Sequence, residues 1–173
     1  MNKTAILIID IINNFQFQEG YLLLNETKKI LNPLIELKTY AKRNHIPVIY
    51  VNDHYQTWET DFKKICDACL NQQNQEIIDK LAPTSYDYFL IKPQLSGFFR
   101  TPLSSLLKEL DVTQLIITGI AGNICVLFTA NDAHMRGYDL YIPKNCIASN
   151  SPHQNKEALK LMEKIFKAKT DPI

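Results

Sequence analysis

An α/β fold, with a mostly parallel sheet covered by helices on both faces, is predicted by three features of the chain. Short apolar runs with no polar alternation recur along it, the pattern of strands buried on both sides. Segments with apolar residues at three- and four-residue spacing lie between those runs, the pattern of amphipathic helices. The alternation continues along the whole chain, with no internal repeat, low-complexity stretch or linker, and 173 residues suit a single domain over residues 1–173.

The first strand is predicted at Thr4–Ile9 (TAILII) and stops at Asp10. A helix follows from Glu26 to about Asn44, where Ile30, Leu31, Leu34, Ile35, Leu37 and Ala41 share a side and Pro33 predicts a kink or a division into two segments. Ile46–Val51 (IPVIYV) reads as the second strand, and Asp61–Leu81 as two short helices broken near Asn71–Asn74. The third strand, Tyr88–Ile91, runs into Lys92-Pro93. Leu103, Leu106, Leu107 and Leu110 mark a helix over Arg100–Leu110, capped by Thr101 with Pro102 in its first turn. Gln114–Thr118 (QLIIT) is the fourth strand, and a helix from Asn123 to Arg136 ends at Gly137. Asp139–Ile142 is the fifth strand, and Asn155–Lys169 closes the chain as a helix with Leu159, Met162, Ile165 and Phe166 inward.

Composition narrows the function. With 46% hydrophobic and 21% charged residues the chain is an ordinary globular one. Nineteen Lys and Arg against eighteen Asp and Glu give a net charge of +1, so charge points to neither nucleic acid nor an anionic membrane as partner. The longest apolar runs fall far short of the ~20 residues that span a bilayer. The four cysteines, Cys66, Cys69, Cys125 and Cys146, accompany a start (MNKTAILIIDI) without a signal peptide's pattern, so free thiols in a reducing cytoplasm are expected. Cys66 and Cys69 share one helix face in ICDACL, which suits packing better than a zinc ribbon or a redox pair, and Cys146 reads as structural.

In parallel α/β sheets, ligands bind outside the carboxyl ends of the strands. Asp10, Lys92 and Cys125 stand after the first, third and fourth strands. Singly, each has an ordinary role: a strand-end cap, a solvated lysine, a small core residue. Together they suit nucleophilic catalysis, because a thiol needs a base or a nearby cation to become reactive at neutral pH. Lys92 and the helix start near Asn123 favour a thiolate at Cys125, and Asp10 suits the role of proton acceptor. The turn Gly119–Cys125 offers backbone N–H groups to an oxyanion.

The segments AILIIDIINNF, KPQLSGFFRTPL and GIAGNICVLFTANDAHMRGYDLYIP resemble the isochorismatase-like cysteine hydrolases, a family that includes nicotinamidases and related amidohydrolases. The resemblance implies a three-layer, Rossmann-like α/β/α sandwich, with Cys125 as nucleophile, Asp10 as general base and Lys92 as the third member of a triad. It also implies a non-proline cis peptide at Ile120-Ala121 and an oxyanion site at the N–H groups of Ala121 and Cys125. The presence of Cys125 argues against the vinyl-ether chemistry of true isochorismatases, which usually lack it.

Nicotinamidases hold a divalent metal through an Asp-x-His pair and a later His, whereas this chain reads Asp53-His54-Tyr55, so no metal and no cofactor are expected. Asn14 stands where the family often has Asp. Phe15, Trp58 and Phe98, with Phe99, are expected to line an aromatic pocket beside Asn14. The expected activity is a cysteine-dependent amidohydrolase cleaving an amide-type C–N bond of a small molecule, in a homodimer or homotetramer. The alternatives are a catalytically silent binding protein of this fold, and a nicotinamidase.

Overall fold

The structure, a computed structural model, describes residues 3–56 and 60–173. The strands are β1 (Thr4–Ile9), β2 (Val48–Asp53), β3 (Tyr88–Lys92), β4 (Gln114–Ile120), β5 (Asp139–Tyr141) and β6 (Ile147–Ala148). The α-helices are α1 (Gly20–Arg43), α2 (Phe62–Cys69), α3 (Gln75–Leu81), α4 (Leu103–Glu109), α5 (Leu127–Met135) and α6 (Pro152–Phe166). A π-helical turn, Gly122–Val126, precedes α5.

The strands form one sheet in the order β3-β2-β1-β4-β5, with β6 also on β4, and the recorded pairs are parallel. Successive side chains of β1 point to opposite faces and split its residues between two cores. Ile6 and Ile8 pack with α1, α2 and α3. Ala5, Leu7 and Ile9 pack with α4, α5 and α6. That division produces the three layers and explains why β1 is apolar from Ala5 to Ile9. Among the described residues, no helix is long and apolar enough to cross a membrane.

Several element limits differ from the sequence reading. Helix α1 begins at Gly20, not Glu26, and continues through Pro33, because Ile30, Leu31, Leu34 and Leu37 anchor it to the sheet on both sides of the proline. The expected helix from Asn123 opens as the π-helical turn. Helix α6 starts at Pro152, where the Ser151 side chain accepts the Gln154 N–H, and stops at Phe166. Its inward face is Ala158, Met162 and Phe166, at four-residue spacing, whereas Ile165 is 60% exposed. Cys66 and Cys69 lie buried on α2 against the first core.

Strand β4 extends through Gly119, at φ 103°, to Ile120. A Cβ at Gly119 would collide with the backbone of Ile9, so only glycine permits the close approach of β1 and β4 just before the site residues. Gly119→Ala is expected to cost about 2–4 kcal/mol, combining strain at positive φ with a displaced neighbouring strand. Urea unfolding measures it, and a loss under about 0.5 kcal/mol would contradict the packing argument.

Candidate active site

The strand order reverses between β1 and β4, whose carboxyl ends deliver Asp10 and, through the π-helical turn, Cys125. Asp10 leaves β1 in the left-handed conformation, φ 49°, one that aspartate tolerates better than most residues. Its backbone N–H donates to Val51 O at 3.1 Å, which ties the turn to β2. Its carboxylate is held twice: Oδ1 accepts the Asp53 N–H at 2.8 Å, and Oδ2 lies 2.8 Å from Lys92 Nζ.

Lys92 is the last residue of β3 and is 2% exposed. Besides Asp10, its ammonium donates to Gln94 O at 3.1 Å and to Cys125 Sγ at 3.6 Å. Those three contacts use the three donors an ammonium has. The loop supplying Gln94 is fixed to α5, since Ser96 Oγ hydrogen-bonds the Asp132 carboxylate and the Gly97 N–H donates to Thr129 Oγ1 at 2.9 Å. Arg136 holds the other Asp132 oxygen at 3.1 Å. Lys92 and the helix that follows Cys125 are thus braced against each other.

The electrostatics correct one sequence expectation. A thiolate at Cys125 is expected from the helix start and Lys92, yet burial and then the Asp10 carboxylate push the thiol up to about 12, with Lys92 only partly offsetting them. Burial also raises Asp10 against the pull of Lys92. For Lys92 itself, burial alone favours the neutral amine, but the charges of Asp10 and Cys125 more than compensate and hold the ammonium above its ordinary range. The resting arrangement is therefore a carboxylate and ammonium pair beside a neutral thiol, with a carboxylate more basic than an exposed one and in contact with the proton it would take.

Above these groups lies a pocket of about 340 Å³, lined by Asn13, Asn14, Phe17, Asp53, Tyr55, Pro93, Gln94 and Leu95 as well as Asp10, Lys92 and Cys125. Of the expected substrate-binding residues, Asn14 is there. Phe15 is not: the Asn13 side-chain oxygen accepts its N–H at 2.7 Å, and the resulting turn buries it in the first core at 6% exposure. Phe98 is not either: it is 5% exposed, stacks on Tyr138 at 6.1 Å and lies under Arg136. Trp58 falls outside the described residues. Phe17, half exposed, and Tyr55 supply the aromatic wall instead. The Ile120-Ala121 peptide is cis, as the resemblance implies.

The metal ligands of the nicotinamidases do not assemble here. Asp53 Oδ1 accepts the Tyr55 N–H at 2.8 Å, and His54 Nδ1 accepts the Gln56 N–H at 2.9 Å. Tyr55, standing where a ligand His is expected, has its phenol pushed up strongly, first by burial and then by the Cys69 and Asp10 charges. Among the described residues, no group of three or more His, Cys, Asp or Glu is placed to hold an ion. These residues do not fit a resident metal.

Asn52, fully buried, is a residue the sequence reading missed. It accepts the Ile12 N–H at 3.1 Å and donates to Ile12 O at 2.9 Å, pinning the loop that carries Asn13 and Asn14. The signal was available: an amide directly after the apolar run of β2 needs a buried partner. Asn52→Ala leaves both groups of Ile12 unsatisfied, so a stability loss of about 2–4 kcal/mol is expected, read by chemical denaturation. An unchanged unfolding midpoint would refute this role.

A protein-family model described as the isochorismatase domain matches residues 4–171. The isochorismatase family protein YaaI of Bacillus subtilis (strain 168) is 54% identical over 162 residues, covering 94% of this chain and 90% of that relative. Among solved structures, N-carbamoylsarcosine amidase from Thermoplasma acidophilum is 26% identical with a TM-score of 0.76, covering 98% of this chain and 96% of its own. The nicotinamidase SaPncA from Staphylococcus aureus has a TM-score of 0.75 at 21% identity, covers 99% of this chain and 98% of its own, and shares the fold.

Proposed function

The chain belongs to the isochorismatase family, and from that premise we propose that it is a cysteine-dependent amidohydrolase that cleaves an amide-type C–N bond of a small molecule. The observation that carries the reading is the single ammonium of Lys92 bridging Asp10 and Cys125 at the floor of the pocket. A buried lysine at the centre of a carboxylate and a thiol costs desolvation energy that a merely structural site has little reason to bear. Such groupings of perturbed side chains in a cleft mark catalytic sites more often than structural ones.

Asp10 removes the thiol proton of Cys125 as Sγ attacks the amide carbon, and the carbonyl oxygen becomes an oxyanion received by the N–H groups of Ala121 and Cys125. As the C–N bond breaks, Asp10 returns the proton to the leaving nitrogen, which departs as ammonia or an amine and leaves a thioester. Water then attacks the thioester carbon and gives a proton to Asp10. The C–S bond breaks, the acid is released, and the proton returns to the thiol. Throughout, Lys92 balances whichever of Asp10 and Cys125 carries negative charge.

The test is ammonia release from a panel of small primary amides, with the Cys125→Ala protein as control. Turnover of at least one amide by the wild type alone supports the proposal. No turnover of any, or equal turnover by the variant, refutes it. The nicotinamidase alternative is tested by including nicotinamide with and without added zinc, and the donor set around Asp53 and Tyr55 argues against it.

A further inference from the structure

Building on the amidohydrolase reading, we infer that the site selects an amide whose remainder is neutral or cationic and excludes amides that carry a carboxylate, with Asp53 as the residue that sets this choice. Among the described residues, the charged groups lining the pocket are Asp10, Asp53 and Lys92, two carboxylates against one ammonium. Lys92 has no donor to spare, since Asp10, Gln94 O and Cys125 take all three. The neutral thiol adds no charge. The pocket therefore carries one uncompensated negative charge, and Thr57, Trp58 and Glu59, which lie outside the described residues, bring no cation in sequence.

Asp53 is the source of that excess. Asp10 is neutralised in contact with Lys92, whereas Asp53, the register neighbour of Lys92 across β2 and β3, acts on that ammonium only from a distance and less than Asp10 does, gives one oxygen to the Tyr55 N–H and has no hydrogen-bond partner among the described residues for Oδ2. An acceptor so placed suits an ammonium or an N–H donor on the substrate. The neutral lining fits the same substrate. The side-chain oxygens of Asn13 and Asn14 are occupied by the N–H groups of Phe15 and Gln16, which leaves their NH₂ groups for a carbonyl oxygen. Phe17 and Leu95, both well exposed, offer apolar contact to a small body. A carboxylate in this pocket would meet Asp53 with no unsatisfied cation to pair with, in a cleft whose low-dielectric walls concentrate the field.

Thiol labelling tests the charge preference without relying on turnover. Cys125 is half-buried, whereas Cys66, Cys69 and Cys146 are buried. Two methanethiosulfonates of similar size, the cationic aminoethyl and the anionic sulfonatoethyl reagents, are compared for their rates at Cys125, read by peptide mass spectrometry and normalised to a small free thiol. The cationic reagent is expected to be favoured by at least about tenfold over the free-thiol ratio at low salt. Asp53→Asn keeps an oxygen for the Tyr55 N–H but removes the charge, and should reduce that preference several-fold. A normalised ratio near one, or a ratio that Asp53→Asn does not move, overturns the inference.

A second arm uses matched amides bearing an amino group, no charge or a carboxylate. The first two are expected to exceed the third in kcat/KM by about tenfold or more. Better turnover of the carboxylate member overturns the inference and leaves the hydrolase reading standing. Turnover of none, with the labelling preference intact, overturns the hydrolase reading and leaves the charge selectivity of the pocket standing.

Discussion

Cys125→Ala is expected to lower amide turnover by about 10⁴-fold or more while leaving the fold intact. In the proposed mechanism the sulfur forms the covalent bond, and no neighbour substitutes for it. The structural cost is modest, because Cys125 is only half-buried, lining the pocket and touching the edge of the second core, and alanine removes a single sulfur atom, so stability should fall by no more than about 1–2 kcal/mol. Cys125→Ser is expected to fare little better, since a hydroxyl is a far weaker acid than the thiol it replaces and Asp10 is matched to the thiol. Steady-state ammonia release together with urea unfolding separates the two effects. Substantial turnover in Cys125→Ala would end the mechanism.

Lys92→Met carries the next largest effect, and on stability the largest. The substitution removes the ammonium but leaves Asp10 buried, with only the neutral Asp53 N–H and Cys125 thiol as partners. Breaking a buried ion pair from one side costs about 3–5 kcal/mol, and the carboxyl is driven to hold its proton. Activity should fall at least about 10³-fold, because a protonated Asp10 no longer accepts the thiol proton. The double variant Asp10→Asn with Lys92→Met should recover most of the stability and none of the activity. If the single variant is as stable as the wild type, the pairing does not have the energetic role assigned to it.

The same groups shape stability against pH. Lys92 is raised in the folded state, so its contribution is full below the ordinary lysine value and is lost as pH rises through the folded one. The Cys125 thiol, raised from 9.0 to about 12, acts in the same direction, since between those values the folded chain keeps a proton that the unfolded chain releases. Asp10, also raised, contributes most below the ordinary carboxylate range and loses that contribution as pH climbs through its folded value. Wild-type stability should therefore decline above about pH 9, and Cys125→Ala should flatten part of the decline.

That Asp10, Lys92 and Cys125 meet at one pocket is legible in the sequence because Asp10 and Lys92 each close an apolar run and Cys125 follows the fourth strand by one short turn, positions that a parallel α/β sheet brings to the same edge. The pocket wall is not. Phe15 and Phe98 are as aromatic as Phe17, but the side chain of Asn13 turns Phe15 inward, and the bonds from Ser96 and Gly97 to α5 draw Phe98 into the second core. Which way a loop aromatic faces depends on side-chain partners that periodicity does not register. Strand β6 escaped for another reason: two residues, Ile147 and Ala148, have no period to detect. The protonation of Cys125 is not legible in the sequence, because burial, which only the packed structure supplies, and the Asp10 carboxylate outweigh the nearby ammonium.

The central pairing of the sheet joins β1 to β4, matching Thr4 with Gln114, so the first strand made is flanked on one side by a strand made more than a hundred residues later. Asp10 and Lys92 stand at the ends of strands that precede β4 in the chain, and Cys125 follows it, so Cys125 joins them only when β4 docks. Such distant pairings form slowly, because a long loop must close before any contact repays it. A chain in which β4 has not docked thus carries an ordinary cysteine, and under the proposed mechanism chemical competence arrives only with completed topology. Turnover can therefore report on β1–β4 closure during refolding, a step that helix-sensitive signals would largely overlook.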